Sequence, residues 1–294
     1  MKNRFVSLLA VGALCVSMAT LVGCGSDSSS SESADKEETT EAASEAESTE
    51  EAAADTEGDL LSQIQERGTI IVGTEGAWAP WTYHNEDDEL VGFDVEVAKA
   101  VAEKLGVEAE FVEVDWDGIF AGIDAGRYDT TFNGVEITDE REEKYYFTTP
   151  YAYIHTALVV SGDNEDITSF EDLVGKTTAN SINSTYMLLA ESYGAEVTAV
   201  DDLAQTIDML TSGRVDATLN ADVSIYDYLN EKPDTNIKIV DFTDDASRVS
   251  APVRKGEATD SLRTAMDQAI EELLNDGTIS ELSEKYFGSD ITQN

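Results

Sequence analysis

An α/β fold in two lobes is predicted by three features of this sequence. Strand-type and helix-type apolar periodicities alternate from Leu60 to Phe132, and the same order of elements returns between Lys176 and Leu219. In addition, 41% of the 294 residues are apolar, enough to fill cores of that size. The elements follow in order. A short amphipathic helix spans roughly Leu60 to Arg67, and the run Thr69-Ile70-Ile71-Val72-Gly73 has the continuous β-branched character of a buried strand closed by glycine. A loop comes next in which Glu75, Trp78, Trp81 and Tyr83 crowd around Pro80, and His84 to Glu89 make a polar turn. Between Phe93 and Leu105, Val95, Val97, Ala98, Val101, Ala102 and Leu105 recur at helical spacing, with Asp94 as the expected N-cap and Gly106 as the stop. A strand over Glu110 to Val114, a helix over Trp116 to Ala125 ended by Gly126, and a strand over Tyr128 to Phe132 complete the first unit, followed by the charged stretch Thr138 to Lys144.

The second unit runs through a strand at Lys176–Ala179, a helix at Thr185–Tyr193, a strand at Glu196–Val200, a helix at Leu203–Ser212 and a strand at Ala217–Leu219. Identity between the units is too low to make them a sequence repeat, so the parallel lies in element order. The tail from Thr259 to Tyr286 is helical, with Leu262, Met266, Ile270, Leu273 and Leu274 on one side and a break at Gly277.

Ahead of these lobes the chain has a different character. Lys2 and Arg4 precede an apolar, small-residue stretch from Phe5 to Val22, the layout of a secretory signal. Its end, Leu21-Val22-Gly23-Cys24, resembles the bacterial lipobox, which makes 1–24 a lipoprotein signal and Cys24 the lipidated N-terminal residue. The stretch is barely long enough to span a bilayer and is followed at once by polar residues, which argues against an ordinary membrane helix. From 25 to 58 there are twelve acidic residues against Lys36 and no aromatic or branched aliphatic side chain. Such a segment cannot offset its ordering entropy and is expected to be a disordered, self-repelling tether.

Composition excludes several classes of function. With 61 acidic against 18 basic residues, the net charge of -43 opposes nucleic-acid phosphates and anionic lipid alike. The two cysteines, Cys15 and Cys24, both fall in the leader, so the remainder can build neither a disulfide framework nor a cysteine metal site. Gly175-Lys176-Thr177 resembles the end of a phosphate-binding loop, but Phe170 stands where its first glycine is required. His84 and His155 have no partner at metal-site spacing, and no nucleophile-elbow, zinc-protease or dinucleotide motif occurs. A binding protein without metal or cofactor is the economical expectation.

Gly92-Phe93-Asp94-Val95-Glu96-Val97-Ala98, the run Trp116 to Asp129, Ile137-Thr138-Asp139-Glu140-Arg141 and Phe147-Thr148-Thr149-Pro150-Tyr151 together carry a resemblance. In their order and spacing they resemble the family 3 solute-binding proteins of polar amino-acid ABC importers, and Thr177 to Tyr186 with Gly213-Arg214-Val215-Asp216-Ala217 continue the likeness through the second lobe. The resemblance covers nearly all of 59–294. It implies a periplasmic-binding-protein type II fold, two α/β lobes joined by two hinge strands, with lobe 1 from 59–152 plus 247–294 and lobe 2 from 153–246. It also implies no enzymatic activity, a polar amino-acid ligand, a membrane permease as partner, an extracytoplasmic lipid-anchored location and a monomeric chain.

A free amino acid carries a carboxylate and an ammonium, so a closed cleft has to supply a planar cation and a compensating carboxylate. Arg141 matches the family's Thr-x-x-Arg position and is the expected carboxylate clamp, with an ordinary surface pair to Glu142 or Glu143 as the bland alternative. Asn133, Gly134 and Glu136 precede it where relatives place ligand contacts, although Glu136 stands where many have a small hydroxyl residue. Trp78 corresponds to the aromatic over the ligand; Trp81 is either a second wall or lobe 1 core. Glu75 faces the ligand's distal cationic group or solvent. Asn183, Ser184 and Thr185 open a helix whose N-terminus favours an anion. Asp222 is the expected ammonium partner, though a strict alignment puts Ala221 there and leaves Asp222 equally readable as a helix N-cap. Thr74-Glu75-Gly76 and Ala179-Asn180-Ser181 with Asn183 to Tyr186 resemble cystine-binding members, which places cystine ahead of a basic amino acid. Two other classes share the fold. A dehydratase would need a catalytic acid beside the clamp, for which Glu136 is the candidate, and the chain's end at Asn294 favours a free-standing binder over a sensor domain.

Overall fold

The computed structural model describes residues 58–293; the expected signal, Cys24 and the tether up to Glu57 lie outside the described residues. The first lobe opens with α1 (Leu60–Arg67), β1 (Thr69–Thr74), a small antiparallel sheet of β2 (Ala77–Trp78), β3 (Thr82–His84) and β4 (Leu90–Val91), and α2 (Phe93–Leu105). It continues through β5 (Glu108–Glu113), α3 (Trp116–Asp124), β6 (Thr130–Thr131), α4 (Asp139–Lys144), β7 (Tyr145–Phe147) and β8 (Ala152–Ile154). The second lobe holds β9 (Thr156–Ser161), β10 (Thr177–Ser181), α5 (Thr185–Ser192), β11 (Glu196–Val200), α6 (Leu203–Thr211), β12 (Ala217–Ala221), α7 (Asp222–Glu231) and β13 (Ile237–Phe242). The chain returns by β14 (Ser247–Val249) and β15 (Pro252–Arg254) and ends in α8 (Asp260–Asn275) and α9 (Thr278–Phe287).

The two sheets share a plan. β1 lies between β5 and β6, parallel to both, with Thr69 opposite Glu108 and Val72 opposite Thr130. β10 likewise lies between β11 and β12, parallel to both, and antiparallel β9 and β13 extend that sheet to five strands. Each lobe therefore sets the first of its parallel strands between the other two and aims the carboxyl ends of those strands at one edge, where α/β sheets bind ligands. Between the lobes β8 and β14 pair antiparallel, Ser247 opposite Ile154, as the two connecting strands. The segment bearing Glu136 bridges to Val249 and so runs alongside this connection.

Local physics accounts for where elements depart from expectation. Asp94 is not the cap of α2: Gly92 is, at φ 133°, and a Cβ there would sit 2.1 Å from the Trp81 carbonyl oxygen. The free amides of the first turn go to the tryptophan loop instead, Phe93 N–H to Pro80 (2.9 Å) and Asp94 N–H to Trp81 (3.0 Å), which releases the Asp94 side chain. The strand expected over Tyr128–Phe132 contracts to two residues because the Asp129 carboxylate accepts the Ile71 amide at 2.7 Å, replacing ladder bonds with a side chain. The tail breaks at Gly277, in left-handed conformation, as its spacing predicts, and both halves pack on α2. No helix among the described residues is long and apolar enough to cross a membrane.

Candidate functional site

A cleft opens where the carboxyl edges of the two sheets meet. Lobe 1 lines it with Glu75, Trp78, Trp116, Gly134, Glu136 and Arg141; lobe 2 lines it with Ser181, Ser184, Thr185, Tyr186, Asp202 and Asn220. Three carboxylates and one guanidinium thus converge on a single partly apolar space. Three hydrogen bonds tie the lobes together around it: Trp78 Nε1 donates to Asn220 Oδ1 (3.3 Å), Trp81 Nε1 donates to Ser224 Oγ (3.0 Å), and the Thr185 hydroxyl donates to the Glu136 carboxylate.

The aromatic wall is built in depth. Trp78 and Trp81 stack with ring centroids 5.4 Å apart, and Trp78 meets Tyr186 of the other lobe edge-on. Trp81 is wholly buried behind it against Phe93 and Phe287 and does not line the cleft. Of the two readings of Trp81, second wall or lobe 1 core, the structure takes the core: Trp81 backs Trp78 instead of meeting the cleft, because the apolar ends of α2 and α9 close over it.

Glu75 follows β1 and is fixed by Asn133, whose Nδ2 donates to Glu75 Oε2 at 2.6 Å. Asn133 Oδ1 in turn accepts from Glu75 N–H and from the hydroxyls of Thr74 and Thr82. Asn133 is fully buried outside the cleft lining, so its expected ligand contact is replaced by a bracing role. Burial pushes the Glu75 carboxyl up to about 7, and nearby Asp115 and Asp202 add to the rise while the Asn133 bond opposes it. Gly134 sits at φ 58°, and a Cβ there would lie 2.4 Å from the Trp78 ring, so only glycine lets the two touch. Its amide donates to the buried Asp94 carboxylate, which burial likewise raises to about 7.

Thr138 caps α4 by accepting the Arg141 amide, and Arg141 Nη1 donates to the Glu136 carbonyl at 2.9 Å. The guanidinium lies over Trp116 and Phe120, 5.3 and 5.1 Å from their centroids. Desolvation lowers its pKa from the usual arginine value, countered by the Glu136 charge. Arg141 is thus a largely buried cleft cation rather than a surface residue. Across from it Ser184 caps α5 by accepting the Met187 amide at 3.1 Å, so Thr185 and the free amides of the first turn face the cleft edge.

Two lobe 2 expectations change. Asn183, at φ 57°, is exposed and borders a wider opening beyond Arg141 rather than the cleft. Asp222 does not line the cleft either. Its Oδ1 accepts the Val223 amide (2.9 Å) and the His155 amide (3.4 Å), and its own N–H donates to His155 O, which ties it to the connecting strands. Helix α7 begins at Asp222 itself, with Ala221 as the cap residue. Sequence reasoning missed Trp116, Tyr186, Asp202 and Asn220. Each stands at the carboxyl end of a parallel strand or within the first turn of the helix after it, and that rule is the signal that finds them. Among the described residues no group of three or more His, Cys, Asp or Glu is arranged to hold a metal ion.

Two α/β lobes of matching strand order, closed by hydrogen bonds over a charged and aromatic cleft, define a type II periplasmic amino-acid-binding fold. Residues 70–289 match the bacterial extracellular solute-binding proteins, family 3, and the chain belongs to that family. It is 39% identical over 236 residues to a probable amino-acid ABC transporter-binding protein of Haemophilus influenzae, covering 80% of this chain and 91% of that one. An ancestral arginine-binding protein bound to arginine is similar in structure, with a TM-score of 0.71 at 37% identity over 76% of this chain and 99% of that one. The L-cystine solute receptor of Neisseria gonorrhoeae, in an unliganded open conformation, gives a TM-score of 0.56 at 40% identity over 81% of this chain and all of that one. The higher identity with the lower TM-score agrees with the closed setting seen here. The chain is accordingly a solute-binding protein of an amino-acid ABC transporter.

Proposed function

We propose that the protein captures L-cystine between its lobes, held outside the cell membrane as a monomer by a lipid on Cys24, and delivers it to the transporter's permease. The convergence of Arg141 with Glu75, Glu136 and Asp202 on one cleft walled by Trp78 carries this reading. Arg141 and the amides of the α5 N-terminus take a carboxylate, Glu136 and the Asn220 side-chain oxygen take the adjacent ammonium, and Glu75 takes the second ammonium. Trp78 covers the apolar middle of the ligand. In this reading Glu136 serves binding rather than acid catalysis. Likeness to the cystine receptor supports the choice of ligand, as do the phrases around Glu75 and Ser181.

A second reading, a basic amino acid such as arginine, is favoured by one observation: Arg141 is the single cation lining the cleft among the described residues, and a basic amino acid has a single carboxylate. A thermal-shift panel of cystine, arginine, lysine, ornithine and neutral amino acids under non-reducing conditions separates the two. A ligand at 100 times its dissociation constant stabilises by about 2.7 kcal/mol. A shift with cystine alone supports the first reading and one with arginine or lysine alone the second. Silence across the panel refutes both.

A further inference from the structure

Glu75 and Asp202 belong to different lobes yet line the same cleft. Glu75 stands at the carboxyl end of β1, and Asp202 follows β11 as the N-cap of α6. They are close enough that the Asp202 charge helps hold the Glu75 carboxyl above its ordinary range. The facing charges do not balance. Around Glu75 are Asp115 from the start of α3, Asp202 from lobe 2 and the neutral brace Asn133. The cleft's guanidinium is engaged elsewhere, donating to the Glu136 carbonyl and countered by the Glu136 charge.

The contacts Asp202 makes within its own lobe do not neutralise it: its two oxygens accept the Gln205 amide and the Gln205 side-chain nitrogen, both at 2.8 Å. The wall of the same cleft also holds a neutral polar group without a partner. The Tyr186 hydroxyl, on a side chain more than nine-tenths buried that lines the same space, has no hydrogen-bond partner among the described residues.

We propose that Glu75 and Asp202 form a cation clamp across the cleft, in which the ligand's second positive group bridges a carboxylate from each lobe and so makes closure favour ligands with two cationic groups. The proposal rests on the amino-acid-binding reading above and adds Asp202 as a specificity-determining residue. When the lobes close without such a group, two carboxylates approach each other in a partly desolvated space and oppose closure. A second ammonium or a guanidinium between them converts that opposition into attraction, while a neutral side chain does not. Discrimination then comes from a repulsive element as much as from an attractive one.

The test is calorimetric titration of the full chain with L-cystine, L-arginine and L-glutamine, for the wild type, Asp202→Asn and Glu75→Gln. Asparagine caps helices as well as aspartate, so Asp202→Asn retains α6, and Asp202→Ser supplies a second capping variant should the first fail to fold. The expected result is at least a tenfold loss of affinity of Asp202→Asn for whichever dicationic ligand the wild type binds, with glutamine affinity unchanged or improved. Glu75→Gln shows the same pattern, and the double variant loses less than the product of the two single losses. An equal loss for all three ligands, or dicationic affinity within twofold of wild type, overturns the clamp. Failure of the wild type to bind any of the three refutes the amino-acid reading itself, and that outcome is visible before any variant is compared.

Discussion

In lobe 1 two cleft residues are braced by partners far away in sequence, Glu75 by Asn133 and the amide of Gly134 by Asp94, while Trp81 backs Trp78 from a core shared with Phe93 and Phe287. In lobe 2 the cleft residues rest mostly on their own turns, Ser184 on Met187 and Asp202 on Gln205, and the Tyr186 hydroxyl has no hydrogen-bond partner among the described residues. The contrast assigns the lobes different work. In the binding reading proposed above, lobe 1 is the braced half-site, and lobe 2 brings helix ends and hydroxyls that gain partners from the ligand. Hinge closure of such a pair needs stable bodies on either side of the flexing strands, and β8 with β14 supplies the connection.

The largest expected effect falls on the preformed half. Arg141→Ala removes the cleft's cation and leaves the ligand carboxylate unpaired in a desolvated site, for a loss of about 3–4 kcal/mol, several-hundred-fold in affinity. Arg141→Lys recovers little, because a lysine cannot reproduce the bidentate fork or the stacking on Trp116 and Phe120. Calorimetric titration measures both, and an Arg141→Ala protein with wild-type affinity removes Arg141 from the site.

Holding carboxylates ready without ligand also costs stability, and the sign of the pH dependence follows. The Glu75 carboxyl in the fold sits at about 7, above its ordinary 4.5, so between those values the native chain holds a proton that the unfolded chain releases. Stability of the ligand-free protein therefore falls as pH rises through that window, by on the order of 3 kcal/mol for this group. Asp94, raised from 3.8 to about 7 by burial, adds a fall of the same sign. Urea unfolding at pH 5 and pH 8 checks this: Glu75→Gln should shrink the difference and leave the Asp94 part. A ligand-free protein more stable at pH 8 than at pH 5 contradicts the reading.

Gly134→Ala strikes the same half-site through the backbone. The left-handed conformation and the approach of Trp78 both oppose a Cβ, for an expected loss of about 2 kcal/mol in unfolding free energy and a weaker ligand affinity. In lobe 2, Ser184→Ala removes the α5 cap and is expected to cost about 1 kcal/mol, with Ser184→Asp restoring the cap but not the affinity for a carboxylate. If the lobe 2 substitution destabilises the fold more than Gly134→Ala does, the assignment of rigidity to lobe 1 is wrong.

The same contrast explains which parts were legible in the sequence. The order of elements along the chain, the α2 stop at Gly106, the break at Gly277 and the start of α5 at Thr185 depend on neighbours within a turn or two, and periodicity with capping chemistry reaches them. Asn133 and Asp94 were misplaced, and Trp81 was left open between wall and core, because their partners lie in other elements, and no local pattern shows that Pro80 and Trp81 carbonyls satisfy α2. Asp222 was left open between ammonium partner and helix N-cap for a similar reason: the pairing of β12 with β9 sets it beside His155, outside the cleft. Asp202 is the exception, a local cap passed over because an acidic residue in a turn usually signifies only a turn.

The smallest expected effect tests closure itself. Ser224 receives the Trp81 indole N–H across the lobes at 3.0 Å, and neither residue lines the cleft, so Ser224→Ala touches the closed state without touching ligand. A neutral hydrogen bond of this kind contributes about 1 kcal/mol, which lowers the closed-to-open ratio by about fivefold. If lobe 1 is already set and closure is a separate, later gain, ligand affinity falls by no more than that factor. Small-angle scattering then shows a larger radius of gyration for the unliganded variant, while a saturating ligand restores the compact form. Unchanged scattering with a hundredfold affinity loss would mean that Trp81 and Ser224 shape the half-site directly, and that the division between a preformed lobe and a closing one does not hold.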